Sequence, residues 1–478
     1  MRLSVFSAAA DAPHTEALVC DGVRLSFTEL AARVRARCVE LAALGVSPLD
    51  ARPVGLLVDG SLAMFEYLHA LFALGVPLLP IHPRLTAVER QFLLELCLAQ
   101  LCLDPSQAAP AQALHALPWP LPSAPAEQAL ALVPSSGSTG NPKLVSLSRR
   151  AFSTLARADA QRVAPLPSDR ALLCLPLSHV GGLSVVTRAL AARRCCVAFR
   201  PGNAGVLGAL GALGKALSVE RISLLSLVPA VLSRLLRETP ELVQRAPLRA
   251  VLLGGQACSA ELFAEARALA LPVLTSYGLT EACSQVSTLS LPSPDSPPFS
   301  RGVVGVGFPL PGVEVRVVSG LIEVRGPTLF SGYVGAPPFD PQGFFNTGDR
   351  GELDPELGLF VFGRASELII SGGENVDPSE VEHALLACGG LRAACVFGVP
   401  DPEFGQRVAA ALEVADSDSF NEVALFAALD TRLASYKQPR AVCHFEQLPR
   451  LASGKLDRRR ICAEAALRLR PTDRAPRS

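Results

Sequence analysis

Apolar positions along the chain follow two rhythms. Ala/Leu/Arg-rich stretches with helical spacing recur, as at residues 29–44 and 379–388. Between them lie short β-branched or Leu-rich runs bounded by Gly and Pro, at 54–58, 130–133, 171–175, 248–253 and 272–275. Strands alternating with helices predict βαβ units and a largely parallel sheet, an α/β fold. From 302 to 362 the texture changes to short alternating runs (313–318, 321–325, 359–362), which predict a small antiparallel β region. The most apolar stretch, 68–81, holds His69, Pro77 and Pro80 and falls short of the ~20 residues of a membrane span. It reads as a core helix passing into a buried strand. The stretches 104–127 and 291–298 read as surface excursions, no internal repeat is evident, and the Arg/Pro-rich tail after Leu469 is expected to be disordered.

A chain of 478 residues, 49% hydrophobic, is longer than one core usually serves, so two or more domains are expected. Lys+Arg and Asp+Glu are equal at 44 each, which leaves no global field to recruit nucleic acid or anionic lipid. The thirteen cysteines form no CxxC pair and no zinc-spaced cluster; Cys97, Cys174 and Cys258 sit in apolar runs as small core hydrophobes. With no apolar leader after Met1, a soluble cytoplasmic protein without membrane insertion is expected.

The richest segment chemically is Ser135-Ser136-Gly137-Ser138-Thr139-Gly140-Asn141-Pro142-Lys143, directly after a predicted strand. Two glycines let the backbone curl so that several N–H groups face one anion, four hydroxyls add donors, and Lys143 adds charge. Such a loop suits a polyphosphate. It is not a Walker loop, because Gly140 is followed by Asn141-Pro142, and no GxGxxG follows a strand. Further along come Gly254-Gly255-Gln256, Ser276-Tyr277-Gly278-Leu279-Thr280-Glu281, Thr347-Gly348-Asp349, Gly363-Arg364 and Pro449-Arg450-Leu451-Ala452-Ser453-Gly454-Lys455. Glu281 is a hard oxygen ligand suited to Mg²⁺, and a carboxylate such as Asp349 has two acceptor oxygens for a vicinal diol. Taken singly, each has a plainer reading: a Ser/Gly turn, a strand end with a solvated Glu, a Gly-Asp turn, an exposed lysine.

Together, in this order, the segments resemble the adenylate-forming superfamily of acyl-CoA synthetases, adenylation domains and luciferases, over roughly residues 18–462. The resemblance implies a large N-terminal domain (1–365) of parallel sheets with a small β-rich part, and a mobile α+β C-terminal lid (366–478). It implies ATP binding by Ser135, Ser136, Gly137, Ser138, Thr139, Gly140, Lys143, Gly254, Gly255, Gln256, Ser276, Tyr277, Gly278, Asp349 and Arg364. Mg²⁺ falls to Glu281 and Thr139, and catalysis to Thr280, Glu281, His179 and Lys455. Ser366 becomes the hinge, with Gly372 and Gly373 on the CoA side, although many relatives carry Asp or Lys where Ser366 stands. The expected reaction joins an acid to CoA through an acyl-adenylate, with ATP and CoA as co-substrates.

Within the superfamily the chain is most similar to the ligases of o-succinylbenzoate in menaquinone biosynthesis. Leu175-Pro176-Leu177-Ser178-His179-Val180-Gly181-Gly182-Leu183, Ser226-Leu227-Val228-Pro229 and Ser371-Gly372-Gly373-Glu374-Asn375 carry that likeness. Gly181 departs from it, standing where Ser is frequent. A dicarboxylate needs a cation for its second charge, and Arg188 and Arg234 are the candidates, with His179 at the pocket mouth. A carrier-loading adenylating enzyme, another aryl or acyl ligase, and a non-catalytic nucleotide binder are the alternatives. Relatives of this kind are often homodimers.

Overall fold

The computed structural model describes residues 3–107, 119–135, 142–202, 205–291, 298–300, 303–371, 374–401, 404–416, 420–451 and 454–471. Two sheets with helices between them form the larger part of the molecule. In one, the parallel strands Val54–Leu57, Leu78–Ile81, Leu101–Leu103 and Ala129–Ser135 continue into the antiparallel Lys143–Ser148 and Gly332–Tyr333. The other has nine strands. Arg170–Leu173, Cys195–Ala198, Leu224–Leu227, Ala250–Leu253 and Val273–Tyr277 run parallel through its centre.

Helices Phe27–Ala43 and Leu62–Leu74 pack on each other, the first against the nine-stranded sheet and the second against the six-stranded one. Arg149–Val163 and Val180–Ala192 repeat this arrangement with the sheets exchanged. The sequence explains the placement. Phe27–Ala43 starts at a capping box in which Ser26 and Glu29 bond each other's backbone N–H, and it buries one apolar face. Leu62–Leu74 is apolar almost all round and buries ten residues, as a helix between two sheets must. It stops at Gly75, whose φ of 74° is the left-handed turn that lets the chain enter the strand Leu78–Ile81. The stretch 68–81 is therefore a core helix followed by a buried strand, as its pattern predicts.

The antiparallel sheet of Glu314–Val318, Leu321–Arg325, Phe345–Asp354 and Gly358–Arg364 lies where the short alternating runs place it. Residues from Ile369 onward build two further cores on the faces of a last sheet. Val396, Val408, Ala410 and Leu412 face the helices Pro378–Ala387 and Glu422–Asp430, while Cys395, Ala409 and Ala411 face Arg458–Ala466. Arg470–Pro471 pairs with Ala441–Val442, so the tail is not disordered from Leu469; it first adds an edge strand, where a proline is tolerated. All thirteen cysteines are free, and burial holds the Cys174 and Cys258 thiols up at about 12. Among the described residues no helix is long and apolar enough to cross a membrane.

Candidate functional site

A cleft of about 910 Å³ opens between the strand ends of the nine-stranded sheet and the C-terminal unit. Its floor comes from Gly255, Gln256, Ser276, Tyr277 and Gly278, its side from Asp349 and Arg364, and its roof from Ser379, Arg450 and Lys455. The ends of parallel strands are where open α/β sheets gather ligand-binding loops.

The glycines here answer to sterics. A Cβ on Gly278 would lie 1.4 Å from the Ser284 carbonyl oxygen, so the turn after Val273–Tyr277 closes only with glycine. Gly255, at φ 81°, has Lys455 Cε 2.9 Å from where its Cβ would be, and Gly254 backs on Ser276. The Ser276 hydroxyl is occupied within the sheet, donating to Ser287 O at 3.0 Å and paired with Thr288 Oγ1 at 2.8 Å. What Ser276 offers the cleft is its backbone.

Tyr277 Oη donates to Asp349 Oδ2 at 2.5 Å, and Arg364 Nε stands 2.9 Å from Asp349 Oδ1. Asp349 and Arg364 are cross-strand partners, and Arg364 Nη1 also donates to Thr347 O at 2.6 Å. Burial pushes the Asp349 carboxyl above the usual range, against the pull of Arg364 and the Tyr277 hydroxyl. Burial likewise raises the Tyr277 phenol, with Asp349 adding to it. Lys455 follows Gly454, which at φ 85° turns the segment from Leu451 back on itself; Leu451 N donates to Lys455 O at 2.8 Å. Burial first, and then the Arg364 charge, lower the Lys455 ammonium below the ordinary lysine range.

Ser135 and Lys143 are register partners at the end of the hairpin Ala129–Ser135/Lys143–Ser148. The loop residues Ser136, Gly137, Ser138, Thr139 and Gly140 lie outside the described residues, as do Gly372 and Gly373. Lys143 Nζ sits 5.0 Å from the ring centroid of Tyr333, whose Oη donates to Glu281 Oε1 at 2.8 Å. Phe330 N donates to Glu281 O, which ties the short turn Thr280–Ala282 to the segment leading into Gly332–Tyr333, itself paired with the hairpin. Tyr333 is a partner that the sequence reading missed; its only signal is its aromatic company after Gly332. Among the described residues no group of three or more His, Cys, Asp or Glu could hold a metal unaided. Glu281, a single carboxylate joined through Tyr333 to Lys143, instead fits Mg²⁺, which keeps waters and takes substrate phosphates as ligands.

His179 is the N-cap of Val180–Ala192 and remains solvent-accessible. Crowding by the surrounding protein, with the Lys455 and His82 charges beside it, lowers its imidazole below the usual histidine range. Gly182 is obligatory, because a Cβ would fall 2.4 Å from Pro176 O, whereas Gly181 leaves ordinary room toward Leu175. The two candidate arginines stand apart. Arg188 lies in a polar cluster with Asp159 at 2.9 Å, Gln285 at 3.3 Å and Ser226 at 3.2 Å. Arg234 lines the cleft itself and is ion-paired with Glu238, one helical turn on, at 2.7 Å. Ser366 is exposed in the short turn Ala365–Glu367.

The profile of a family described as AMP-binding enzyme matches residues 5–334, and that of its C-terminal domain matches residues 380–455. The 2-succinylbenzoate–CoA ligase of Bacillus pumilus is 32% identical, covering 95% of this chain and 96% of its own length. That of Bacillus velezensis is 33% identical, covering 94% and 95%. The o-succinylbenzoate coenzyme A synthetase of Bacillus subtilis, solved with ATP and magnesium ion, superposes with a TM-score of 0.81 at 29% identity over 96% of this chain and 98% of its own. ATP-bound MatB from Rhodopseudomonas palustris superposes with a TM-score of 0.84 at 25% identity, over 97% and 99%.

Proposed function

The chain belongs to the AMP-binding enzyme family, and from that premise we propose that it ligates o-succinylbenzoate to CoA, the reaction its relatives' names print, and that it does so in menaquinone biosynthesis. The observation that carries this reading is Lys455 lodged against Gly255, in one cleft with Tyr277, Asp349 and Arg364.

In the first half-reaction a carboxylate oxygen of the acid attacks the α-phosphorus of ATP. The bond to the bridging oxygen breaks and pyrophosphate leaves. Both reactants are anions, so the work of the protein is alignment and charge neutralisation. The loop between Ser135 and Lys143 takes the polyphosphate, and Asp349 takes the ribose diol. Tyr277 packs beside the base. Thr280 and the Lys455 ammonium meet the oxygens where charge builds. The phosphates that Lys455 faces favour its protonated form and so offset the burial that lowers it. Glu281 and Thr139 would hold Mg²⁺, which supplies charge neutralisation on the phosphates. In the second half-reaction the CoA thiolate attacks the acyl carbonyl, the bond to the phosphate oxygen breaks, and AMP leaves. For this the C-terminal unit turns about Ser366, carrying Lys455 out and the segment of Gly372 and Gly373 in.

Arg188 is assigned the second carboxylate of the acid; Arg234, in the lid-facing cleft, is left to the nucleotide and CoA side. A cytoplasmic location accords with thirteen free thiols and with ATP and CoA as substrates. The dimer that the family resemblance implies is read by light scattering. The deciding experiment is ATP-, Mg²⁺- and CoA-dependent AMP release with o-succinylbenzoate, beside benzoate, anthranilate and a medium-chain fatty acid. Selective turnover of o-succinylbenzoate is expected. Turnover of another acid alone removes the substrate assignment but keeps the chemistry, and no AMP with any acid removes both.

A further inference from the structure

Arg188 is not an open fork. Its Nε donates to Ser184 O at 3.1 Å, Nη1 to Asp159 Oδ1 at 2.9 Å and Gln285 Oε1 at 3.3 Å, and Nη2 to Ser226 Oγ at 3.2 Å. A guanidinium has five N–H groups. Among the described residues four are therefore committed, and the one left is on Nη2, beside the Ser226 hydroxyl. Asp159 is nearly buried on the inner face of Arg149–Val163. Gln285 locks the pair from the other side: its Nε2 donates to Asp159 Oδ1 at 3.2 Å and to Thr288 Oγ1 at 3.1 Å. Thr288 in turn bonds Ser276, at the start of the nucleotide loop.

We propose that Asp159, held by Gln285, is a positioning residue that sets how strongly Arg188 discriminates dicarboxylic from monocarboxylic acids. This rests on the assignment of Arg188 to the second carboxylate. Before substrate arrives, Asp159 compensates a cation that burial would otherwise penalise. It also fixes the guanidinium plane so that the remaining Nη2 proton and Ser226 form one shared docking point. The incoming carboxylate then shares Arg188 with an anion already present. Its gain in affinity is smaller than a free Arg would give, and an adenylate that must move on to CoA is not trapped.

The test compares o-succinylbenzoate with 4-oxo-4-phenylbutanoate, which lacks the ring carboxylate, and reads KM and kcat for each. Asp159→Asn keeps an oxygen acceptor for Nη1 and removes the charge. It is expected to lower KM for o-succinylbenzoate relative to the analogue by about tenfold, the scale of one charge at several ångströms in a partly buried site. Gln285→Met removes the amide oxygen that occupies one Nη1 proton and the amide that holds Asp159; it is expected to lower that ratio in the same direction by about threefold, and it serves also where the first variant folds poorly. Arg188→Gln erases the discrimination. Ratios that stay within twofold of wild type in both Asp159→Asn and Gln285→Met overturn the proposal, as do KM changes that are equal for the two acids. A wild type that does not turn over o-succinylbenzoate overturns the substrate assignment and this proposal with it, an outcome visible before any variant is made.

Discussion

Lys455 and His69 show how burial acts on single groups with opposite purposes. Lys455 is held close to Arg364, where its charge is costly until phosphate arrives. Lys455→Ala is expected to slow adenylation by roughly 10²–10³, the scale of one lost transition-state donor, while sparing thioester formation from preformed acyl-adenylate. Rapid-quench assays of the two half-reactions separate them, and equal losses would defeat the assignment. His69 serves no chemistry: it is buried beside Phe72, its Nδ1 has no partner, and burial holds it down at about 4. The unfolded chain takes up that proton near pH 6.5. The stability that neutral His69 permits is therefore present above about pH 6.5 and is lost as pH falls toward 4, by up to about 3 kcal/mol. His69→Leu should flatten the pH dependence of the urea midpoint between 7 and 4.5; an unchanged slope refutes this. Lys455 was legible in the sequence because a Gly-Lys segment sits in order with five others, and the burial of His69 was legible from its place in the apolar run 68–81, though its unpartnered Nδ1 was not. Asp159 was not, since one acidic residue inside a helix carries no local signal of an arginine 29 positions away.

At the scale of elements, glycine ties sequence to site. Gly255 sits in the left-handed region with Lys455 Cε 2.9 Å from its missing Cβ. Gly255→Ala should therefore displace the lysine and add backbone strain of about 1 kcal/mol. The expected phenotype is a selective drop in adenylation with thermal stability little changed. A proportional fall in thioester formation would show instead that the strand end itself is disturbed. The glycine runs were visible in sequence, but the atoms that require them were not, because Gly278 is constrained by Ser284 and Gly255 by a residue 200 positions on. Helix positions were legible where caps and period agree, as for Phe27–Ala43 behind Ser26. Strand limits were less so: the turn that is the plainer reading of Gly348-Asp349 survives as an irregularity within the ten-residue strand Phe345–Asp354, where Gly348 keeps a φ of 73° and its N–H bonds the Asn346 side chain while Leu321–Arg325 and Gly358–Arg364 pair on either side. The edge strand Arg470–Pro471 was hidden by its proline.

Across the whole molecule, the question is what holds the C-terminal unit in the arrangement that places Lys455 in the cleft. Among the described residues an ion pair spans the boundary outside the cleft: Arg350 Nη1 on the strand Phe345–Asp354 meets Asp377 Oδ2, at the cap of Pro378–Ala387, at 3.0 Å. Both partners are partly exposed, so the pair is worth about 1 kcal/mol or less, enough to shift a two-state arrangement several-fold without deciding the fold. Arg350→Ala is expected to lower the single-turnover adenylation rate about threefold and to leave thioester formation from acyl-adenylate equal or faster, since under the proposed alternation that step releases the unit. Arg350→Lys, which keeps the charge, should restore most of the loss. Asp377 is left intact, because its other oxygen caps the helix through Ser379 N at 2.9 Å and its replacement would confound the result. If Arg350→Ala slows both half-reactions alike, or if lysine restores nothing, the ion pair merely supports the strand. A fall in adenylation alone, reversed by lysine, would identify it as a contact whose breaking accompanies the turn about Ser366.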